Sequence, residues 1–237
     1  MAILRLFLLS NLLCLPASVS IAQGETIDIV LGTKIAQAES IADGDELWAV
    51  LRDGSTYRLI RRVAQIQEYK YKSPIVDDEY HTGRRLIGPR AEAALIHLPG
   101  SLDLRAGPIT LDEMNHKLVS YSFGKKTGPP TPAMLDVGAR SFRLRAVVYP
   151  IEGGRWNSML VYLDEGEESQ MIFSYRKASD PGAKVDWVAD IDRDGIPDFL
   201  LSLSHHYSSV SKRLFLSSFA RGDVFTKQVG GIDISLD

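Results

Sequence analysis

The chain has 237 residues, with 27 Lys and Arg against 30 Asp and Glu, a formal net charge of −3 and one cysteine. This length suits one large or two small domains, and the charge balance gives no support for a nucleic-acid partner. A single cysteine excludes an internal disulfide, so stability must come from core burial, from a metal ion or from both.

The first 22 residues have the order of an export signal. Arg5 precedes an apolar stretch from Leu6 to Ala17, and Ser20-Ile21-Ala22 puts small residues three and one positions before a cleavage site after Ala22. A permanent membrane helix needs roughly 20 apolar residues, more than this stretch offers. The alternative is a buried N-terminal helix or strand. We expect export, a periplasmic or secreted mature protein and no membrane insertion after the signal is cleaved.

Strand patterns dominate the chain after residue 25. Apolar runs at residues 46–51 and 57–60 flank Asp53-Gly54, which predicts a β-hairpin because glycine adopts the positive φ of a tight turn. Residues 73–90 are polar, with Gly and Pro, and are typical of a surface loop. Residues 91–98 are predicted to form a short helix or a buried strand.

The second half continues the strand pattern. Ser141 to Tyr149 alternates apolar and polar side chains at the two-residue period of a half-buried strand. Residues 159–163 and 170–175 predict a second hairpin around an acidic turn at residues 164–168. Three more strands are predicted at residues 185–189, 199–203 and 213–217.

Short strands at this spacing, separated by polar turns, predict a mainly β fold. They favour antiparallel sandwich or meander sheets. We expect two lobes, residues 23–112 and residues 113–237, joined near residues 105–116. The second lobe would hold the aspartate-rich segment at residues 190–198.

One segment has the pattern of a metal-binding loop. It is Asp190–Asp198, with the sequence Asp-Ile-Asp-Arg-Asp-Gly-Ile-Pro-Asp. Calcium takes six to eight oxygen ligands, and carboxylates at alternate positions converge on one ion as the chain coils around it. Gly195 at the sixth position permits the sharp turn. The predicted calcium ligands are four carboxylates and one backbone carbonyl oxygen: Asp190, Asp192, Asp194 and Asp198, the last directly or through water, with the carbonyl of Ile196.

The alternative for this loop is an acidic, solvated turn without an ion, because Asp and Gly favour turns in any case. Four carboxylates on so short a loop repel one another unless a cation is present, which favours calcium. An EF-hand is excluded, because its twelfth position holds a glutamate and here it is Leu201. The flanking sequences also have strand patterns.

The sequence Trp187-Val-Ala-Asp-Ile-Asp-Arg-Asp-Gly-Ile-Pro-Asp-Phe-Leu-Leu201 resembles the calcium loops of FG-GAP and VCBS-type repeats, as in the propeller blades of integrin α-chains. The resemblance covers residues 185–217 in a single copy. It implies a calcium loop between two strands. The continuation through residues 213–218 also resembles a group of exported bacterial proteins, which implies calcium binding and export rather than a reaction.

Function is less constrained than metal binding. We expect an exported binding or interaction module for a protein or glycan partner, with calcium in a structural role and no catalytic residue. The alternative is a calcium-dependent hydrolase with a site near His205 and His206. Adjacent side chains on a strand point to opposite faces, which argues against both histidines binding one metal. An enzyme would need a concave pocket with convergent polar groups.

Overall fold

The computed structural model describes residues 30–31, 34–35, 41–72, 80–122, 125–126, 128–151, 157–206, 208–220 and 224–235. The predicted export signal at residues 1–22 lies outside these residues. The strands of the described residues, numbered in chain order, are β1 (Val30–Leu31), β2 (Lys34–Ile35), β3 (Glu46–Asp53), β4 (Thr56–Val63), β5 (Ile66–Lys72), β6 (Tyr80–Leu86), β7 (Ala94–Pro99), β8 (Gly107–Ile109), β9 (Leu111–Asp112), β10 (His116–Val119), β11 (Tyr121–Ser122), β12 (Lys125–Lys126), β13 (Ala133–Val137), β14 (Arg140–Pro150), β15 (Asn157–Glu165), β16 (Glu168–Ala178), β17 (Gly182–Ala189), β18 (Asp198–His206), β19 (Ser209–Leu216) and β20 (Lys227–Ser235).

The predicted fold class is confirmed: the protein is mainly β and its sheets are antiparallel. Helical structure in the described ranges amounts to two short 3-10 turns, Ala91–Ala93 and Ser217–Phe219. Within those ranges no helix has the length and apolar character needed to cross a membrane.

Three sheets contain most of the strands. The N-terminal sheet has the order β1-β7-β3-β4-β8, the outer sheet has the order β13-β14-β15-β16, and the central sheet has the order β10-β17-β18-β19-β20, with β9 also paired to β17. Two smaller sheets, β2-β6-β5 and β11-β12, complete the set. All four strands of the outer sheet lie in sequence between β10 and β17, which are neighbours in the central sheet.

The central sheet is buried on both faces. Strand alternation points Phe199 and Leu201 of β18 toward one side, where they join the buried side chains of the outer sheet. Leu200 of the same strand points to the other side and joins a cluster that includes Trp48 and Leu98 of the N-terminal sheet. The protein therefore has three stacked layers, and each apolar side chain buried between them contributes about 1.5–3 kcal/mol.

The two predicted lobes share one of these cores. Trp48 and Val50 of the first half are buried in the same cluster as Trp187 and Leu214 of the second half. Leu111, placed by the sequence at the end of the first lobe, lies on β9 and pairs with β17 of the central sheet. The two halves of the chain are thus joined by packing and by strand pairing.

Both predicted hairpins form. β3 and β4 pair around a turn in which Gly54 has φ +63°, the conformation that motivated the prediction. β15 and β16 form the second hairpin, but Asp164 lies inside β15 rather than in the turn, and it is only 4% exposed. Its carboxylate accepts hydrogen bonds from Arg143, Arg145 and Ser169 at 2.6–3.2 Å.

The surface loop predicted at residues 73–90 is wrong in part, because β6 occupies its second half and pairs with β5. The sequence of β6 has no apolar alternation, so its strand character comes from its neighbours. Tyr69 of β5 covers Gly83 of β6 so closely that a Cβ at residue 83 would lie 2.7 Å from the Tyr69 ring. Residues 91–98 were predicted to form a short helix or a buried strand. Most of them form the buried strand β7, which a single 3-10 turn precedes.

Candidate metal centre

The candidate metal loop connects two neighbouring strands of the central sheet. β17 ends at Ala189 and β18 begins at Asp198, and these two residues pair across the ladder. Residues 190–197 therefore leave and re-enter the sheet at adjacent points. Because its two ends are paired, the loop must coil tightly. Such a coil brings the carboxylates of alternate residues close together.

Three of the predicted ligands converge. Asp190, Asp192 and Asp194 each offer a carboxylate oxygen, and these oxygens lie within 4.8 Å of one another. The first two side chains belong to half-buried residues and the third to an exposed one. This cluster can hold a metal ion.

Backbone N–H groups of the loop donate to the same carboxylates. Asp190 accepts from the N–H of Asp194 at 3.0 Å and from that of Gly195 at 3.1 Å. Asp192 accepts from the N–H of Asp194 at 3.3 Å, and Asp194 accepts from that of Ile196 at 2.8 Å. The chain thus winds around its own carboxylates, which directs them toward a common interior.

Two residues with positive φ allow this coil. Gly195 has φ +78°, in agreement with its predicted role, and Arg193 has φ +66°. Most side chains disfavour that region, so the turn at Arg193 needs support from elsewhere. Its guanidinium Nη2 lies 3.2–3.4 Å from the carbonyl oxygens of Arg105, Ala106 and Pro108. These contacts fasten the loop to β8 and to the residues just before it.

Asp198 has a different place from the other three aspartates. It is fully buried, and its Oδ2 accepts from the N–H of Ile191 at 2.8 Å. Its Oδ1 accepts from the N–H of Ser217 at 2.8 Å and from the hydroxyl of Ser217 at 3.0 Å. Burial, followed by the charge of Asp192, raises the pKa of Asp198 well above its usual range. Its carboxylate ties the start of the loop to the end of β19.

A second wall of the site comes from residues that sequence reasoning missed. Ser217 Oγ and the backbone nitrogen of Ser218 each lie 3.1 Å from Asp192 Oδ2. The N–H of Ser218 donates to that oxygen, and the single hydroxyl proton of Ser217 is shared between Asp192 and Asp198. Ser217 is 25 residues from Asp192 in the chain. Because β19 pairs antiparallel with β18, its end returns to the loop, and Ser217 follows directly. No local motif marks Ser217. The one signal in the sequence was the strand predicted at residues 213–217, which follows the strand predicted at residues 199–203.

Burial and mutual repulsion disfavour the ionised form of the aspartates in this cluster. Burial raises the pKa of Asp190, and the neighbouring charge of Asp192 raises it further. The pKa of Asp194 is raised in the same way, by burial first and also by the charges of Asp192 and Asp190. A cation among these carboxylates would relieve both effects.

Ile196 and the two histidines complete the predicted set. Ile196 is half-buried and packs against the core between the central and outer sheets, while its N–H donates to Asp194. His205 and His206 lie at the far end of β18, roughly 25 Å from Asp198 at about 3.3 Å per residue. The His205 ring packs on Tyr175 at 5.2 Å, and His206 Nδ1 lies 3.0 Å from Ser208 Oγ. The structure does not bring these histidines to the aspartate cluster.

A cleft of about 350 Å³ opens beside the loop. β8, the β13–β14 turn and the end of β17 meet there. Its charged lining consists of three carboxylates and one guanidinium: Asp112, Asp136, Asp190 and Arg193. Thr110 adds a hydroxyl. Ile109 and Val188 give it an apolar part.

In comparisons with known proteins, no family model matches this chain, and no curated protein or solved structure matches it.

Proposed function

We propose that this chain is an exported β protein that binds one calcium ion in the loop Asp190–Asp198 and uses that ion to stabilise a binding module. The observation that carries the proposal is the convergence of three carboxylates within 4.8 Å. The likeness of the loop to FG-GAP and VCBS-type calcium loops supports the choice of ion.

Calcium suits this donor set better than other common cations. Carboxylate and carbonyl oxygens are hard ligands, and the described loop residues offer no thiolate or imidazole that would favour zinc or copper. Magnesium demands near-ideal octahedral geometry, whereas calcium accepts the irregular arrangement that a flexible loop provides. In this proposal Asp190, Asp192 and Asp194 bind directly, and the carbonyl of Ile196 adds a fourth ligand. Asp198, predicted to act directly or through water, acts through water, because both of its oxygens already accept backbone N–H groups.

The binding-module part of the proposal rests on the cleft beside the loop. Its carboxylates can accept hydrogen bonds from the hydroxyl or amide groups of a glycan or protein partner. Because Asp190 belongs to both the cleft and the loop, calcium would fix one wall of the cleft. The distance of the two histidines from the loop gives the hydrolase alternative no comparable support.

Calcium binding is tested by thermal melts and calorimetry of residues 23–237 in calcium and in chelator. An ion that binds only the folded loop stabilises it by RT ln(1 + [Ca²⁺]/Kd), about 1.4 kcal/mol at tenfold excess. For a protein of this size we expect a rise in Tm of about 3–6 °C. Asp192→Ala should abolish the rise, and Gly195→Val should reduce it through backbone strain.

The matched control is Glu167→Gln, in the exposed turn between β15 and β16, which should keep the full calcium response. Asp164 is unsuitable as a control because its buried carboxylate has three partners of its own. Equal melting temperatures in calcium and chelator, with no heat of calcium binding, would show that the loop is an ordinary acidic turn.

Export is tested separately. Protein recovered from the cell envelope should begin near Gln23 when its N-terminus is determined by mass spectrometry, because the signal would be cleaved after Ala22. Recovery of a chain that retains Met1 from the cytoplasm would contradict the proposal without affecting calcium binding.

A further inference from the structure

A second cleft lies far from the metal loop in sequence and has the opposite charge. It has a volume of about 290 Å³ and is lined by residues 85–88 and 90–92, where the chain turns from β6 into β7. Arg85 and Arg90 face it, and Glu92 is the one carboxylate in its lining.

Arg62 lies directly behind the wall of this cleft. Its Nη2 donates to the carbonyl of Ile87 at 2.7 Å and lies 3.3 Å from the position that a Cβ on Gly88 would take. Its Nη1 is buried and has no hydrogen-bond partner among the described residues. Burial lowers the pKa of Arg62. A buried cation with an unpaired donor is unfavourable, and an anion in the adjoining cleft would offset its charge.

The neighbouring guanidinium groups are paired with neutral oxygens rather than with carboxylates. Arg85 donates to the amide oxygen of Gln67 at 2.6 and 3.0 Å, and Arg84 donates to the carbonyl of Ile41. Arg90 is 3.7 Å from Asp53, an exposed pair of small energetic value. Among the described residues, Arg62 and Arg85 therefore have no ion pair that balances their charge.

We propose that this cleft binds a compact oxyanion, held by Arg85 and Arg90, and that the positive charge of Arg62 behind the wall adds to the attraction. Planar guanidinium groups match the paired oxygens of phosphate, sulfate and carboxylate groups. Arg85 can exchange the amide oxygen of Gln67 for a charged acceptor without moving its backbone. The oxyanion is either a free inorganic ion or the acidic group of a sugar acid. This site is independent of calcium.

The test uses residues 23–237 treated with chelator and then dialysed into metal-free buffer without chelator, which leaves the metal loop empty, prevents precipitation of calcium phosphate and removes the chelator's own carboxylates. Inorganic phosphate, sulfate and galacturonate are titrated at constant ionic strength against chloride, with galactose as the neutral counterpart of galacturonate. Calorimetry and thermal melts should show saturable binding of at least one anion and no binding of galactose. Preference for phosphate or sulfate would identify a free ion as the ligand, and preference for galacturonate would identify a sugar acid.

Variants locate the binding. Arg85→Gln and Arg90→Gln should each weaken binding about tenfold, which corresponds to one charge-assisted hydrogen bond. Both arginines are exposed, so neither change disturbs the core. Arg62→Gln removes the positive charge behind the wall and should also weaken binding. Glu92→Gln should strengthen it. Arg176→Gln, an exposed arginine on β16, is the control and should change nothing.

Three outcomes would overturn the proposal: no saturable binding of any of the anions, affinity unchanged in Arg85→Gln and Arg90→Gln, or an equal loss in Arg176→Gln. The last would indicate attraction to surface charge in general. Because calcium is absent throughout, failure here leaves the calcium proposal standing, and failure of the calcium melts leaves this one standing.

Discussion

At the scale of single residues, the four aspartates of the metal loop divide into two kinds. Asp190, Asp192 and Asp194 offer oxygens to a common point, whereas Asp198 is fully buried and uses both oxygens to accept backbone N–H groups. The spacing within the loop was enough to predict the first three, because a coil of nine residues brings alternate side chains together. The role of Asp198 depends on its burial against β19, which no local pattern encodes.

This division predicts different effects for two similar substitutions. Asp198→Asn places an amide donor against the N–H of either Ile191 or Ser217, so one buried donor loses its acceptor. We expect a loss of about 1–3 kcal/mol of stability, measured by urea unfolding in chelator. Asp194→Asn removes one of the repelling charges, so it should not lower stability in chelator and should reduce only the calcium response. Equal losses in chelator would contradict the assignment of roles.

At the scale of strands, sequence alternation and tertiary pairing each account for part of the fold. β14 was predictable because Phe142 and Leu144 alternate with Arg143 and Arg145, and the two apolar residues are indeed fully buried. β6 was not, because its pairing with β5 and the cover that Tyr69 gives to Gly83 become visible only in three dimensions. The site follows the same rule: its local carboxylates were predicted, and Ser217, carried in by β19, was not.

The outer sheet also contains a pH-sensitive cluster. Burial alone would raise the pKa of Asp164, but hydrogen bonds from Arg145, Ser169 and Arg143 outweigh it and hold that pKa below its ordinary value. A depressed pKa in the folded state means that the carboxylate stabilises the protein above its unfolded pKa, about 3.9 for Asp. That contribution is lost as the pH falls through the lower folded value.

Asp164→Asn should therefore destabilise the protein by about 1–3 kcal/mol at pH 7. The gap between the unfolding free energies of wild type and variant should narrow as the pH is lowered from 5 toward 3. Denaturant unfolding across this range measures the gap. A constant difference at every pH would indicate lost packing rather than lost charge.

At the scale of the whole molecule, the stacking of three layers makes the two halves of the chain interdependent. The face of the central sheet that carries Trp187, Leu200 and Leu214 is covered by Trp48 and its neighbours. Without the N-terminal sheet this apolar face would be open to water. The sequence suggested two lobes because the pattern of strands repeats on either side of residues 105–116, but such a pattern does not reveal which faces become buried together.

We expect a single cooperative unfolding transition for residues 23–237, with equal calorimetric and van't Hoff enthalpies. Trp48→Ala, which removes the indole between the layers and its hydrogen bond to the carbonyl of Leu102, should cost about 3–5 kcal/mol and lower that one transition as a whole. Two separate transitions, of which only the first responds to Trp48→Ala, would show that the halves unfold independently.

The position of the outer sheet between β10 and β17 also constrains the order of folding. Pairing these two strands requires the chain to close a loop of more than sixty residues, from His116 to Val185, and a long flexible loop closes at an entropic cost. β13 to β16 form a meander of neighbouring hairpins, whose contacts are local and therefore quick to form. Once that meander has collapsed, less of the loop is flexible, and the remaining closure costs less entropy. We therefore expect the outer layer to fold first and the middle layer to assemble on it.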